Sequence, residues 1–151
     1  MTTNFKPAQD ADLDRLIVFM REFYAHEHLA FDESAARRAL QKILRDHDLG
    51  HVWLIQDGEQ PVGYVVLTFG YSLEFRGRDA LVDELYIRAS HRGQGAGAQT
   101  LKFVEEACRA FGVDALHLEV ERANTKAQAF YHKAGFKDHD RYLLTKWIAK
   151  N

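Results

Sequence analysis

The feature that most constrains this chain is a glycine-rich stretch, residues 91–99, between a predicted strand and a predicted helix. Residues 80–87 are typical of a β-strand, and apolar residues recur at helical spacing from Gln99 to Phe111. Glycines permit tight turns and let a ligand approach the backbone. The unpaired N–H groups of a first helical turn favour an anion such as a pyrophosphate. The pattern therefore predicts a phosphate-binding turn with Arg92 at its mouth, although an ordinary strand-to-helix loop also contains glycines.

Composition limits the protein class. The 151 residues are 46% hydrophobic and 28% charged, with a formal net charge of −2, so we predict one globular domain over residues 1–151. This charge balance favours neither nucleic acid nor a membrane surface as a partner. No apolar run is long enough to span a bilayer, and no signal-peptide pattern opens the chain. The single cysteine, Cys108, fits a reducing compartment and a place in the core. We expect a cytoplasmic protein.

Periodicity predicts an α/β (α+β) protein with about four helices and six to seven strands. The helices are expected from Asp10 to Tyr24, after Asp32 to Leu44, from Gln99 to Phe111 and from Asn124 to Ala134. Because the connections between the middle strands are short, we expect those strands to pair antiparallel. A helical crossover joins residues 80–87 to residues 115–120, so we expect these two strands to run parallel. The closing strands are expected at Phe136 and at 141–148. The result is a mixed, mostly antiparallel central sheet.

Three stretches, in this order and spacing, resemble the GNAT superfamily of N-acetyltransferases across essentially the whole chain. They are Asp83–Ile87, Arg92–Gly97 and Asn124–Phe136. The resemblance implies the GNAT-type fold, acetyl-CoA as co-substrate and an amine as acceptor. A hypothesis from another class is a CoA-binding regulatory protein without catalysis. The presence together of Asn124, Tyr131 and a carboxylate on the strand disfavours it.

The resemblance also implies a set of cofactor-binding residues. The backbone of Leu85, Tyr86 and Ile87 would hold the pantetheine arm and the acetyl group. Asn124 matches the asparagine that contacts the CoA arm, and Tyr131 matches the tyrosine near the thioester sulfur, a general acid for the leaving thiolate. Beside Phe130, Tyr131 also fits a core position. The pyrophosphate would be bound by the glycine stretch, which comprises Arg92, Gly93, Gln94, Gly95, Ala96, Gly97 and Ala98.

A protonated amine must lose a proton before it attacks a thioester, and Asp83 and Glu84 are the candidate bases. Both are also candidate substrate-binding residues. Because they are adjacent on a strand, we expect their side chains to point to opposite faces, with at most one in the cleft. Alignment with the diamine subgroup favours Asp83 slightly. The alternative is that either carboxylate simply pairs with an arginine at the surface.

Residues 71–78, followed by Asp83–Tyr86, are similar to the spermidine/spermine (diamine) N-acetyltransferases, which implies a small cationic, polyamine-like acceptor. Glu27 lies where the family's first helix meets its second, and it is either a ligand for that cation or a solvated loop residue. Residues 26–32 depart from the subgroup. Acetylation of a protein N-terminus or a lysine is the alternative activity. The eight histidines form no compact cluster, so no metal is expected. Many relatives pair, so we expect a homodimer.

Overall fold

The computed structural model describes residues 1–149, which divide into two compact units. The first unit runs from Met1 to Glu119 and the second begins at Val120. The single domain over residues 1–151 stays a prediction.

The first unit is built on a five-stranded sheet in the order β1-β2-β3-β4-β5. The first four strands pair antiparallel, and β4 and β5 pair parallel, which confirms a mixed, mostly antiparallel sheet. The strands are β1 (Thr3–Pro7), β2 (Gly50–Asp57), β3 (Gln60–Ser72), β4 (Gly77–Ile87) and β5 (Ala115–His117). The β3–β4 hairpin is longer than predicted, because residues expected in a polar connection continue both strands.

Helices cover both faces of this sheet. They are α1 (Leu13–His26) and α2 (Glu33–Arg45) on one face and α3 (Ala96–Ala110) on the other. Phe19 of α1 and Val104 of α3 are fully buried, each at the centre of its own apolar layer. Cys108 lies in the α3 layer at 4% exposure, as predicted for a core residue. The expected helix start after Asp32 is confirmed, since its side chain accepts a hydrogen bond from the Ala35 N–H at 3.1 Å.

The prediction of six to seven strands is wrong for the described part of the chain, which has five. The fifth strand ends at His117, not at Val120, and neither Phe136 nor residues 141–148 form a strand. A β-prone sequence becomes a strand only where a neighbour completes its hydrogen-bond ladder. The second unit supplies no such ladder among its described residues. It contains instead the predicted fourth helix, α4 (Thr125–Lys133).

Across residues 1–149, no helix is both long enough and apolar enough to cross a membrane.

Candidate active site

The C-terminal half of β4 has a free edge. β5 pairs with β4 only from Asp79 to Leu81, so no described strand pairs with the rest of β4 on that side. The Arg88 N–H donates to the Val62 carbonyl at 2.9 Å, and antiparallel alternation therefore turns the backbone groups of Leu85 and Ile87 toward the free edge. An extended ligand can add to β4 here as a strand would.

Arg92 lies at the end of this edge. Its Nε donates to the Ile87 carbonyl at 2.7 Å, and its guanidinium lies 5.6 Å from the centre of the Tyr86 ring. These contacts hold a positive charge next to the last residues of β4. The structure therefore brings together two features that were predicted separately, the strand edge and the arginine.

The glycine stretch forms the predicted turn into α3. Gly93 and Gly95 have φ values of +75° and +86°, which favour glycine, and Gly95 caps the helix without a side-chain hydrogen bond. The Gln99 N–H is the first to bond within the helix, to the Gly95 carbonyl, so the N–H groups of the three preceding residues have no intrahelical acceptor. They are Ala96, Gly97 and Ala98.

Open space lies over this helix N-terminus. A Cβ built on Gly93 or on Gly95 meets no atom within 4 Å. The side-chain amide of Gln94 donates to the Ser90 carbonyl at 3.5 Å. An uncapped helix dipole, open backbone and the nearby Arg92 together suit a diphosphate. The residues predicted for the CoA pyrophosphate therefore fit that group.

Asp83 and Glu84 lie at a β-bulge in β4. Val66 of β3 is opposite Glu84, and the next residue, Leu67, is opposite Val82, so Asp83 is the extra residue. Val82 and Leu85 both pack in the layer beneath α3. The two carboxylates between them therefore share the other face of the sheet, the one that α1 covers. The expectation that they point to opposite faces is wrong, because a bulge interrupts strict alternation.

Tyrosines hold the Glu84 carboxylate in place. The Tyr64 hydroxyl donates to Oε1 at 2.7 Å, and the Tyr24 hydroxyl donates to Oε2. Burial raises the pKa of Glu84, while these two hydrogen bonds act in the opposite direction. Burial also raises the pKa values of both tyrosines, so they remain protonated donors. Glu84 is thus fixed between α1 and β3.

Asp83 stands in a different environment. Its side chain is exposed to solvent, yet the protein around it partly desolvates the carboxylate and raises its pKa. The negative charges of Asp83 and Glu84 both raise the pKa values of Tyr24 and Tyr64, which agrees with their common face. Of the two carboxylates, Asp83 is the more exposed to solvent.

Glu27 lies at the C-terminal end of α1 and is exposed. It follows Tyr24 by one helical turn, and Tyr24 contacts Glu84, so the end of α1 adjoins the carboxylates. A role for Glu27 in binding a cationic acceptor stays a prediction.

The second unit carries the remaining predicted residues. The Asn124 side chain accepts a hydrogen bond from the Ala127 N–H at 3.1 Å and caps α4. Tyr131 lies on that helix, with its ring 5.3 Å from Phe130 and 6.0 Å from Phe136. Asn124 and Tyr131 are seven residues apart, which places them on one helical face. Their contacts with a cofactor stay predictions.

Sequence reasoning missed the polar partners of β4. Tyr24 and Tyr64 fit the apolar pattern of a predicted helix and a predicted strand, so their hydroxyls were overlooked. A buried tyrosine hydroxyl nevertheless needs a hydrogen-bond partner. Glu22 was also missed: its carboxylate pairs with Arg88 at 2.8 and 3.0 Å and accepts from the Tyr86 hydroxyl at 3.1 Å. The Arg88 hydrogen bond is the main reason that the pKa of Glu22 is lowered. Both networks fasten α1 to β4.

Comparisons with known proteins agree with this geometry. The model of the "Acetyltransferase (GNAT) family" matches residues 17–136. The thialysine N-epsilon-acetyltransferase of Bos taurus is 28% identical over 142 residues, which cover 88% of this chain and 83% of that protein. The peptidyl-lysine N-acetyltransferase YjaB of Salmonella typhimurium is 29% identical over 139 residues, which cover 91% and 85%.

A solved structure is similar over nearly the whole chain. It is an integron cassette protein, HFX_CASS3, from the mobile metagenome of Cole Harbour Salt Marsh. It is 37% identical, with a TM-score of 0.85, and the match covers 97% of this chain and 91% of that one.

Proposed function

The chain belongs to the acetyltransferase (GNAT) family and is an acetyl-CoA-dependent N-acetyltransferase, and from that premise we propose that its acceptor is a small cationic amine. The observation that supports this acceptor is the exposed Asp83, beside the immobilised Glu84, on one face of β4. A carboxylate in that position attracts an ammonium ion and takes its proton.

Acetyl-CoA supplies a thioester whose carbonyl is open to attack by an amine. In the proposed arrangement Ala96, Gly97 and Ala98 bind the pyrophosphate through their free N–H groups, and Arg92 adds a positive charge. The backbone of Leu85 and Ile87 then aligns the pantetheine arm along the free edge of β4. Open space at Gly93 and Gly95 supports this placement.

Asp83 is the proposed base and Glu84 a positioning residue. Both oxygens of Glu84 already accept tyrosine hydroxyls, whereas Asp83 is accessible and its pKa is raised. A raised pKa makes a carboxylate a stronger proton acceptor, as general base catalysis requires. Asp83 takes the proton from the acceptor ammonium, and Glu84 keeps the bulge in one conformation.

Tyr131 is the proposed general acid, and Asn124 is the proposed contact to the CoA arm. Both assignments rest on the matching motif around α4. The Asn124 cap supports them indirectly, because it fixes the first turn of the helix that carries Tyr131. Proton donation by the Tyr131 hydroxyl would neutralise the leaving thiolate.

Among cationic amines, similarity to the diamine subgroup supports a polyamine-like acceptor. The names of two relatives support a second candidate, an amine carried by a lysine-like side chain, either free or in a peptide. Assembly as a homodimer is a further proposal that rests on the family resemblance, and a cytoplasmic location is one that rests on the single cysteine, Cys108.

The test is release of free thiol from acetyl-CoA in the presence of an amine panel. The panel contains putrescine, spermidine, spermine, lysine, S-aminoethylcysteine (thialysine), aminoglycosides and lysine-containing peptides. Turnover with small amines, strongly lowered by Asp83→Asn, is expected. Turnover with peptides alone would move the acceptor to protein lysines, and turnover with none of them would overturn the proposed acceptor class.

A further inference from the structure

The face of β4 that carries Asp83 continues toward the β3–β4 hairpin, and a second polar pair lies there. His117 of β5 and Asp79 of β4 approach to 3.2 Å between Nε2 and Oδ2. Leu116 and Ala80 pack in the α3 layer, so their neighbours His117, Leu81 and Asp79 face the other way. The pair therefore shares a sheet face with the carboxylates at the bulge.

The Asp79 carboxylate lies in space that is open because the neighbouring strand has a glycine there. Gly70 lies opposite Asp79 on β3, and a Cβ on Gly70 would come within 2.7 Å of Asp79 Oδ1. Gly70 does not have a positive φ, so backbone conformation does not require a glycine there. Close approach of the carboxylate is the physical reason for the small residue. One oxygen of Asp79 lies over Gly70 while the other faces His117.

We propose that the Asp79–His117 pair is a second cation subsite, which binds the far ammonium of a dicationic acceptor whose near amine lies at Asp83. This inference rests on the proposed function. His117 Nε2 lies 3.2 Å from Oδ2 and orients the carboxylate, which leaves Oδ1 to accept from an ammonium ion. Phe75 packs edge-on against His117, with ring centres 4.3 Å apart, and fixes the imidazole.

The spacing selects a class of acceptor. Asp83 follows Asp79 by four residues, one of them the bulge, so at about 3.3 Å per residue their Cα atoms are roughly 10–13 Å apart along β4. Leu81 lies between them on the same face, where it offers an apolar surface to a methylene chain. An extended α,ω-diamine matches this order of charge, apolar surface and charge.

The experiment compares 1,6-diaminohexane with hexylamine, which share their chain but differ by one ammonium. Isothermal titration calorimetry on the full chain in the presence of CoA is expected to show tighter binding of the diamine. Asp79→Asn is expected to weaken diamine binding about tenfold and to leave hexylamine unchanged. Asp14→Asn is the matched control, since it removes an α1 carboxylate from an exposed ion pair with Arg37 of α2.

A second variant keeps the negative charge of Asp79 but changes its position. Gly70→Ala displaces the Asp79 carboxylate and is expected to weaken only diamine binding, with folding checked by circular dichroism. Equal affinity of the wild-type protein for both amines, or equal weakening of both by Asp79→Asn, would overturn the subsite. Thiol release with hexylamine tests acetyl transfer separately. Absence of thiol release with both amines, alongside an intact diamine preference in binding, would reject acetyl transfer to this class of amine and leave the subsite standing.

Discussion

Replacement of Tyr64 by phenylalanine tests whether Glu84 is held as a buried carboxylate. Tyr64 is fully buried, so water cannot take the place of its hydroxyl, and Glu84 Oε1 loses a donor at 2.7 Å. Loss of a hydrogen bond to a charged group costs about 1.5–3 kcal/mol. Because the lost bond stabilised the ionised form, the pKa of Glu84, already raised by burial, rises further in the variant.

The sign of the pH dependence follows from that direction. A carboxyl whose pKa is higher in the folded than in the unfolded protein stabilises the fold below its unfolded pKa. The stabilisation is lost as the pH rises through the folded pKa. The difference in unfolding free energy between the wild type and Tyr64→Phe therefore grows as the pH rises and Glu84 ionises.

The assay is urea unfolding monitored by circular dichroism at about pH 5 and about pH 8. The unfolding free energies of the wild type and of Tyr64→Phe are compared at each pH. Tyr71→Phe is the control, because Tyr71 is 79% exposed on the same strand and its loss of a hydroxyl is expected to have little effect. A stability loss that is the same at both pH values, or no loss at either, would refute the reasoning.

Three further predictions concern the cofactor and the reaction. Asp83→Asn should lower kcat/KM by about 10²- to 10⁴-fold in thiol release while CoA affinity, measured by calorimetry, stays the same. Wild-type turnover in this variant would exclude Asp83 as the base. Gly95→Val should reduce CoA affinity, because it strains a residue at φ +86° and fills the open space above α3, and an unchanged affinity would contradict the phosphate-binding turn. Tyr131→Phe should lower kcat much more than it weakens acetyl-CoA binding, and equal effects on the two would point to a packing role.

Local patterns were enough to predict much of the first unit. The glycine turn and the strand before it lie within twenty residues of each other, and their spacing alone indicates a strand, a turn and a helix N-terminus. The four helices follow from apolar spacing, and the Asp32 cap confirms the expected start of α2. The helix after the glycine turn was predicted, but α3 begins at Ala96, three residues before the expected Gln99, so its free N–H groups belong to the end of the glycine stretch.

Long-range pairing explains what could not be predicted. The bulge at Asp83 exists because Val66 and Leu67 pair with residues that are not adjacent on β4, and no local pattern contains that register. The hydrogen bond from Tyr64 to Glu84 spans two strands, and the Asp79–His117 pair spans a crossover. Expected strands near the C-terminus depend on a ladder partner that their own sequence does not supply.

The most direct test of acetyl transfer is mass spectrometry of the amine after incubation with isotopically labelled acetyl-CoA and the protein. The expected product is an acceptor heavier by one labelled acetyl group, formed at the rate of thiol release and about 10²- to 10⁴-fold more slowly by Asp83→Asn. Thiol release without any acetylated amine would contradict the account, because it would show that the thioester is hydrolysed and that β4 presents no amine to it.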